Sequence, residues 1–180
     1  MLTINFTPFP NLATSRLLLR KLTPEDDRDI YYLRSDESVN YYLDRDKAQS
    51  LNDAKSFIEK INMMVDNNGG VYWAIIYKQE NRLIGTICMF GFNSEEAKAE
   101  IGYELLPAFQ GKGLMQEALS EVLNYASSVL HLQSLEACSH KHNESSIALL
   151  TKNEFKRDLQ AEFGVKDLPL EMAIYSKKLS

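Results

Sequence analysis

The sequence predicts a mixed α/β domain in which antiparallel strands lead into a βαβ-like half. Three strand-like runs, 71–77, 82–90 and 99–106, follow one another with only short polar joints between them, which favours an antiparallel meander. A long amphipathic helical pattern, 113–130, then separates the last of these from a further strand-like run at 132–139. No internal repeat and no Gly/Ser/Pro-rich linker divides the 180 residues. They read as one domain, 1–180, with a sizeable core.

Each element has a local reason. Pro8 and Pro10 mark an extended lead-in, and RLLLRKL at 16–22 reads as a first strand. Thr23 can cap a helix, Pro24 suits its first position, and Glu25 and Asp26 suit its positive end. That helix is expected to reach about Arg34. Ser50 to Asp53 resembles a second helix start, with Asp at the place of the Glu or Gln of a capping box. Ala54, Phe57, Ile58, Ile61, Met64 and Val65 follow at helical spacing, and the Asn-Asn-Gly-Gly run at 67–70 ends it. Beyond the meander, Leu114, Ala118, Leu119, Val122, Ala126 and Val129 share one side of the long helix. A helix at 144–152 and strands at 155–157 and 170–176 complete the chain.

Composition narrows the class. Apolar residues make up 44% and charged residues 25%, ordinary values for a globular protein. A formal net charge of -5 argues against a general nucleic-acid binder. Residues 1–12 carry no basic-then-apolar signal pattern, and no apolar stretch approaches the ~20 residues of a membrane span. The chain therefore reads as cytoplasmic, with Cys88 and Cys138 as buried free thiols in strand-like runs. His140-Lys141-His142 has no cysteine or acidic partner at metal-site spacing, so no metal is expected. Trp73 reads as core. Tyr31, Tyr32, Tyr41 and Tyr42 fit either a substrate groove or ordinary packing.

The chemistry centres on Gln110-Gly111-Lys112-Gly113-Leu114-Met115, between a strand and a helix. Two glycines permit a tight turn, and free N–H groups at a helix start attract an anion. The spacing is neither a Walker loop nor a GxGxxG fingerprint, and a plain strand-to-helix turn is the simpler reading of these six residues alone.

The wider context is more specific. The stretch AEIGYELLPAFQGKGLMQEAL at 99–119 resembles the GNAT superfamily of acetyltransferases, and within it the RimJ/RimL-type branch. NESSIALLTKNEF at 143–155 is similar to the family's "N-x-x-S … L-x-K-x-G-F" segment, and RLLLR with TPED, at 16–20 and 23–26, to its opening. The resemblance covers about residues 14–155. It implies a largely antiparallel central sheet with helices on both faces, and two strands, 99–106 and 132–139, that splay to admit acetyl-CoA. It further implies that backbone N–H groups of Gln110, Gly111, Lys112, Gly113, Leu114 and Met115 hold the CoA pyrophosphate. Glu104, Leu105 and Leu106 would pair with the pantetheine arm, and Asn143 matches a cofactor contact.

Acetyl transfer to an amine needs a proton acceptor for the ammonium and a donor for the departing thiolate. Glu100 matches a base glutamate of some family members; an ion-paired strand residue is the plain alternative. Ser146 matches the branch's serine and is the candidate acid, with helix-start hydrogen bonding as its plain alternative. Many members carry a Tyr where this chain has Leu150. Two further departures are Met115, in place of a small residue, and Glu154, in place of Gly; a turn needing positive φ would be strained by Glu, so a different local turn is expected. The expected activity is transfer of acetyl to a primary amine, foremost a protein N-terminus, by direct attack. A small amine such as a polyamine, amino acid or antibiotic is the second acceptor class. A CoA-binding regulatory module with little catalysis is the alternative of another kind. The resemblance leaves a homodimer open.

Overall fold

A computed structural model describes residues 4–179. The chain order begins with β1 (Leu12–Ala13), β2 (Leu17–Arg20), α1 (Asp27–Ser35), α2 (Glu37–Asn40) and α3 (Leu51–Asp66). The meander is β3 (Gly70–Tyr77), β4 (Arg82–Asn93) and β5 (Lys98–Leu105). Then come α4 (Leu114–Ser128), β6 (Ser134–His140), α5 (Glu144–Lys152), β7 (Lys156–Arg157), α6 (Leu159–Gly164) and β8 (Met172–Lys178). One sheet orders its strands β1-β2-β3-β4-β5-β6-β8-β7. Every neighbouring pair is antiparallel except β5 and β6, which run parallel and are joined across α4. The mixed α/β class and the meander agree with the sequence.

Helices cover both faces, and strand alternation shows which is where. Tyr72 meets Phe57 of α3 edge-on, while its neighbour Trp73 meets Tyr125 of α4. Adjacent side chains of a strand point to opposite faces, so α3 and α4 lie on opposite sides. Trp73 pairs with Ile87, which pairs with Tyr103. Tyr103 bonds Ser146 of α5, so α5 shares the α4 face. Trp73 is fully buried and donates its indole N–H to the Pro10 carbonyl, a core residue as expected.

Local caps fix the helices. The Asp26 carboxylate accepts the Thr23 N–H and both arms of the Arg20 guanidinium, each at 2.8 Å. A short 3-10 turn at Pro24–Asp26 therefore precedes α1. Ser50 and Asp53 form the reciprocal cap anticipated for α3, with Asp53 N–H on Ser50 Oγ at 3.2 Å and Ser50 N–H on Asp53 Oδ2 at 2.9 Å. The last turn of α5 departs from expectation. Glu154 adopts the left-handed conformation at φ 65°, so the turn usually built on Gly is kept, with Lys177 paired to the carboxylate at 2.7 Å.

Candidate active site

The site begins where two strands part. β5 and β6 pair only at Lys98–Ser134, Ala99–Leu135 and Glu100–Glu136. Beyond that point β5 stays on β4 through Leu105, and β6 stays on β8 through His140. The splay implied for 99–106 and 132–139 is present. Leu106 N–H donates to Ile84 O at 2.8 Å, which sets the alternation along β5: even-numbered residues aim their backbone at β4 and odd-numbered ones away from it. Leu105 is thus the one residue of Glu104–Leu106 whose N–H and C=O face the opening, and its C=O already accepts Gln110 Nε2 at 2.8 Å. Tyr103, not singled out from the sequence, aims its backbone into the same gap.

The loop after β5 is built for free donors. A turn at Pro107–Phe109 takes the Gln110 N–H onto Pro107 O at 3.1 Å, so that group is already engaged. Gly111 and Gly113 then sit at φ 71° and 73°, left-handed values that suit glycine. Among the described residues, the N–H groups of Gly111, Lys112 and Gly113 meet no protein acceptor. Those of Leu114 and Met115 open α4, where no intrahelical acceptor exists. The Met115 side chain is buried and packs in the hydrophobic core.

Arg16 adds charge beside the loop, donating Nη1–H to Lys112 O at 3.0 Å and pairing with Glu117 at 2.7 Å. Desolvation alone would raise Glu117, but hydrogen bonds from the Thr14 hydroxyl, the Arg16 N–H and side chain and the Ser15 hydroxyl hold it down at about 2. This carboxylate ties the β1–β2 turn to the first turn of α4.

On the same face, Asn143 Oδ1 caps α5 by accepting the Ser146 N–H at 3.2 Å. The Ser146 Oγ lies 2.9 Å from the Tyr103 hydroxyl. Burial pushes Tyr103 up to about 12, a rise that the Ser146 bond moderates. Leu150, at the usual Tyr position, is fully buried. Two hydroxyls thus stand together between the parted half of β5 and the start of α5.

The opposite face carries the carboxylates. Glu100, Gly102 and Glu104 alternate onto the α1–α3 side. Glu100 is exposed at the sheet surface, but the surrounding protein partly desolvates its carboxyl; that desolvation, and then repulsion from Glu136, raise it, with Lys98 opposing. Glu104 accepts the Thr86 hydroxyl at 3.3 Å and faces Arg45 at 2.6 Å. That ion pair is close, although its angle lies outside hydrogen-bond geometry. Tyr42 packs its ring on His140, centroids 5.0 Å apart, and stacks edge-on with Tyr41. Cys138 corrects the expectation of a buried thiol, since it is exposed; desolvation and then Glu100 raise its thiol, which disfavours the nucleophilic thiolate.

A sheet that opens between two parallel strands, with free N–H groups at the adjoining helix, offers a cleft with an anion-attracting end. The family described as acetyltransferase (GNAT) domain matches residues 16–156. The chain is 31% identical over 170 residues to YoaA of Bacillus subtilis, an uncharacterised N-acetyltransferase, covering 93% of this chain and 96% of that one. The structure of the ribosomal L7/L12 α-N-protein acetyltransferase RimL with coenzyme A superposes with a TM-score of 0.80 at 17% identity, over 94% and 98% of the two chains. A spermidine N-acetyltransferase from Vibrio cholerae, in complex with CoA and spermine, superposes at 0.76 and 20%, over 92% and 97%. These two likenesses are of fold. The chain belongs to the GNAT acetyltransferase family, and it is an acetyltransferase enzyme.

No helix among the described residues is long and apolar enough to cross a membrane.

Proposed function

We propose that the protein transfers the acetyl group of acetyl-CoA to the α-amine of a peptide or protein N-terminus, by direct attack, as a RimJ/RimL-type enzyme. The observation that carries this reading is the parting of β5 and β6 beside the free N–H groups of Gly111–Gly113. Those donors suit the pyrophosphate of CoA, as helix-start amides suit phosphate generally. The gap-facing backbone of Tyr103 and Leu105 suits a pantetheine arm lying as an added strand. The opening leads through to Glu100, on the acceptor side.

In this reading the amine nitrogen attacks the thioester carbonyl, forming the C–N bond as the C–S bond breaks. Glu100 takes the proton of the incoming ammonium, by way of solvent where the reach is long; its raised pKa brings it closer to that task. A gap-facing N–H polarises the carbonyl oxygen. Ser146, backed by Tyr103, supplies the proton that the departing thiolate takes up and regains one from the second proton that the attacking nitrogen sheds as it becomes the amide. Asn143 orients Ser146 through the α5 cap.

The N-terminal acceptor is favoured by the resemblance of residues 99–119 and 143–155 to the RimJ/RimL-type branch, while a spermidine enzyme that shares the fold, as RimL does, supplies the competing small-amine reading. CoA release measured with a panel of short peptides, spermidine and free amino acids separates them. Turnover on peptides that disappears when their N-terminus is blocked supports the proposal. Turnover on spermidine alone favours the small-amine reading, and tight acetyl-CoA binding with no turnover favours a binding module.

A further inference from the structure

A cavity of about 430 Å³ opens between α1, α3 and the loop before α3, lined by Arg34, Asp46, Lys47, Gln49, Asp53 and Phe57 among others. It holds a cation that the fold does not neutralise. The Arg34 guanidinium lies over the Phe57 ring, 3.8 Å from its centroid. Among the described residues it makes no hydrogen bond and no ion pair. Glu104, the carboxylate that favours its charge, is committed elsewhere, because it faces Arg45 at 2.6 Å and accepts the Thr86 hydroxyl. Arg45 is itself held to Asn40 by a 2.7 Å bond. Burial and then Arg45 work against the charge on Arg34, with Glu104 and Tyr72 partly offsetting them. The other charges on the cavity do not answer it. The Asp53 carboxylate is taken up by the Gln49 and Ser50 N–H groups of the α3 cap, Lys47 pairs with Glu37 at 3.7 Å, and among the described residues Asp46 forms no ion pair with Arg34.

A half-buried arginine with a stacked face and a free edge is a receptor for an oxyanion. Its position relates it to the acceptor. Glu104 projects from the same face of β5 as Glu100 and Gly102, and a strand rises about 3.3 Å per residue, so Glu100 and Glu104 stand about 13 Å apart along it. An amine poised between Glu100 and Glu104, beside the Phe90 ring that lies against Gly102, is about 7 Å along the strand from the Glu104 end of the site. That separation exceeds the reach of an amino acid's own carboxylate and matches a side chain one or two residues further along an extended peptide.

We propose that Arg34 is a specificity residue that binds the carboxylate of an Asp or Glu at the second or third position of the acceptor peptide. The inference rests on the N-terminal acetyltransferase reading above. It also supplies a reason for disfavouring polyamines, whose further cationic groups would meet Arg34 with like charge.

The test uses the full-length protein, acetyl-CoA and matched peptides carrying Asp, Asn or Lys at position two or three, with spermidine and free glutamate as further arms. The Asp peptide is expected to exceed its Asn counterpart by about tenfold or more in kcat/KM, mainly through KM, as a charge-assisted contact would give. Arg34→Glu is expected to reverse the order in favour of the Lys peptide, a gain that misfolding does not mimic. Should that variant melt early, Arg34→Met is expected to level the Asp and Asn peptides. Equal kcat/KM for Asp and Asn peptides with the wild type, or an acidic preference that survives both variants, overturns the role of Arg34 while leaving peptide acetylation standing. Turnover confined to spermidine or free glutamate overturns both readings together.

Discussion

The Tyr103 hydroxyl and the Ser146 Oγ stand 2.9 Å apart, bridging the parted half of β5 and the first turn of α5. If Ser146 protonates the thiolate and Tyr103 acts through it, Ser146→Ala should lower kcat by about 100-fold, in the range of general acid catalysis. Tyr103→Phe should lower kcat by roughly tenfold, with little change in KM for acetyl-CoA. The double variant should be no slower than Ser146→Ala alone, because residues acting as one unit are not additive. Steady-state kinetics of the three variants checks this, and a multiplicative loss would separate the two roles.

Glu100 should govern the acid limb of the rate profile. Its carboxylate must be ionised to accept a proton, so kcat/KM is lost as pH falls through its raised pKa. Glu100→Gln should cost about 100-fold and flatten that limb. Glu136 contributes to the elevation by like charge. Glu136→Gln should therefore move the limb to lower pH while activity persists on the plateau. A limb that stays in place in both variants would assign it to another group.

Glu117 should make stability sensitive to acid. Its folded-state pKa of about 2 lies below the ordinary 4.5. A depressed carboxylate stabilises the fold fully above its ordinary value and loses that contribution as pH falls from about 4.5 towards about 2. Allowing for solvent screening, the contribution is about 1 kcal/mol, or roughly 2–4 °C in Tm for a domain of this size. Glu117→Gln should melt lower than the wild type by that amount at pH 7, with the gap closing towards pH 2. Thermal scans across that range measure it.

Glu154 should be a site of easy stabilisation. Its φ of 65° is one that a glycine adopts freely. Its partner Lys177 is held by a carboxylate that is 82% exposed, and exposed ion pairs contribute little. Glu154→Gly should raise Tm by about 2 °C. A fall would mean that the Lys177 pair outweighs the backbone strain.

Legibility followed the length of each pattern. The β3–β5 meander and α4 are readable because they extend over several periods of alternation or of helical repeat. The two-residue β1, the four-residue α2 and the six-residue α6 were not read, since none spans enough residues for a period to register. Gly111 and Gly113 were readable because a tight turn before a helix favours glycine. Tyr103 was missed for a different reason: which backbone groups of β5 face the gap depends on register with β4, set by the Leu106–Ile84 bond. Arg34 belongs to no motif, and its lack of a side-chain partner among the described residues emerges only when α1, α3 and β5 converge.

The parting of β5 from β6 also has a consequence for local motion. Amides of Tyr103 and Leu105 lie in the middle of a sheet yet have no neighbouring strand to shield them on the side they face, whereas Gly102 and Glu104, one residue away, are protected by β4. Deuterium should therefore enter the parted half of this strand in an alternating, residue-by-residue pattern, fast at Tyr103 and Leu105 and slow at Gly102 and Glu104. A ligand that lies along the strand would erase the alternation, giving a record of its path that requires neither turnover nor knowledge of the acceptor.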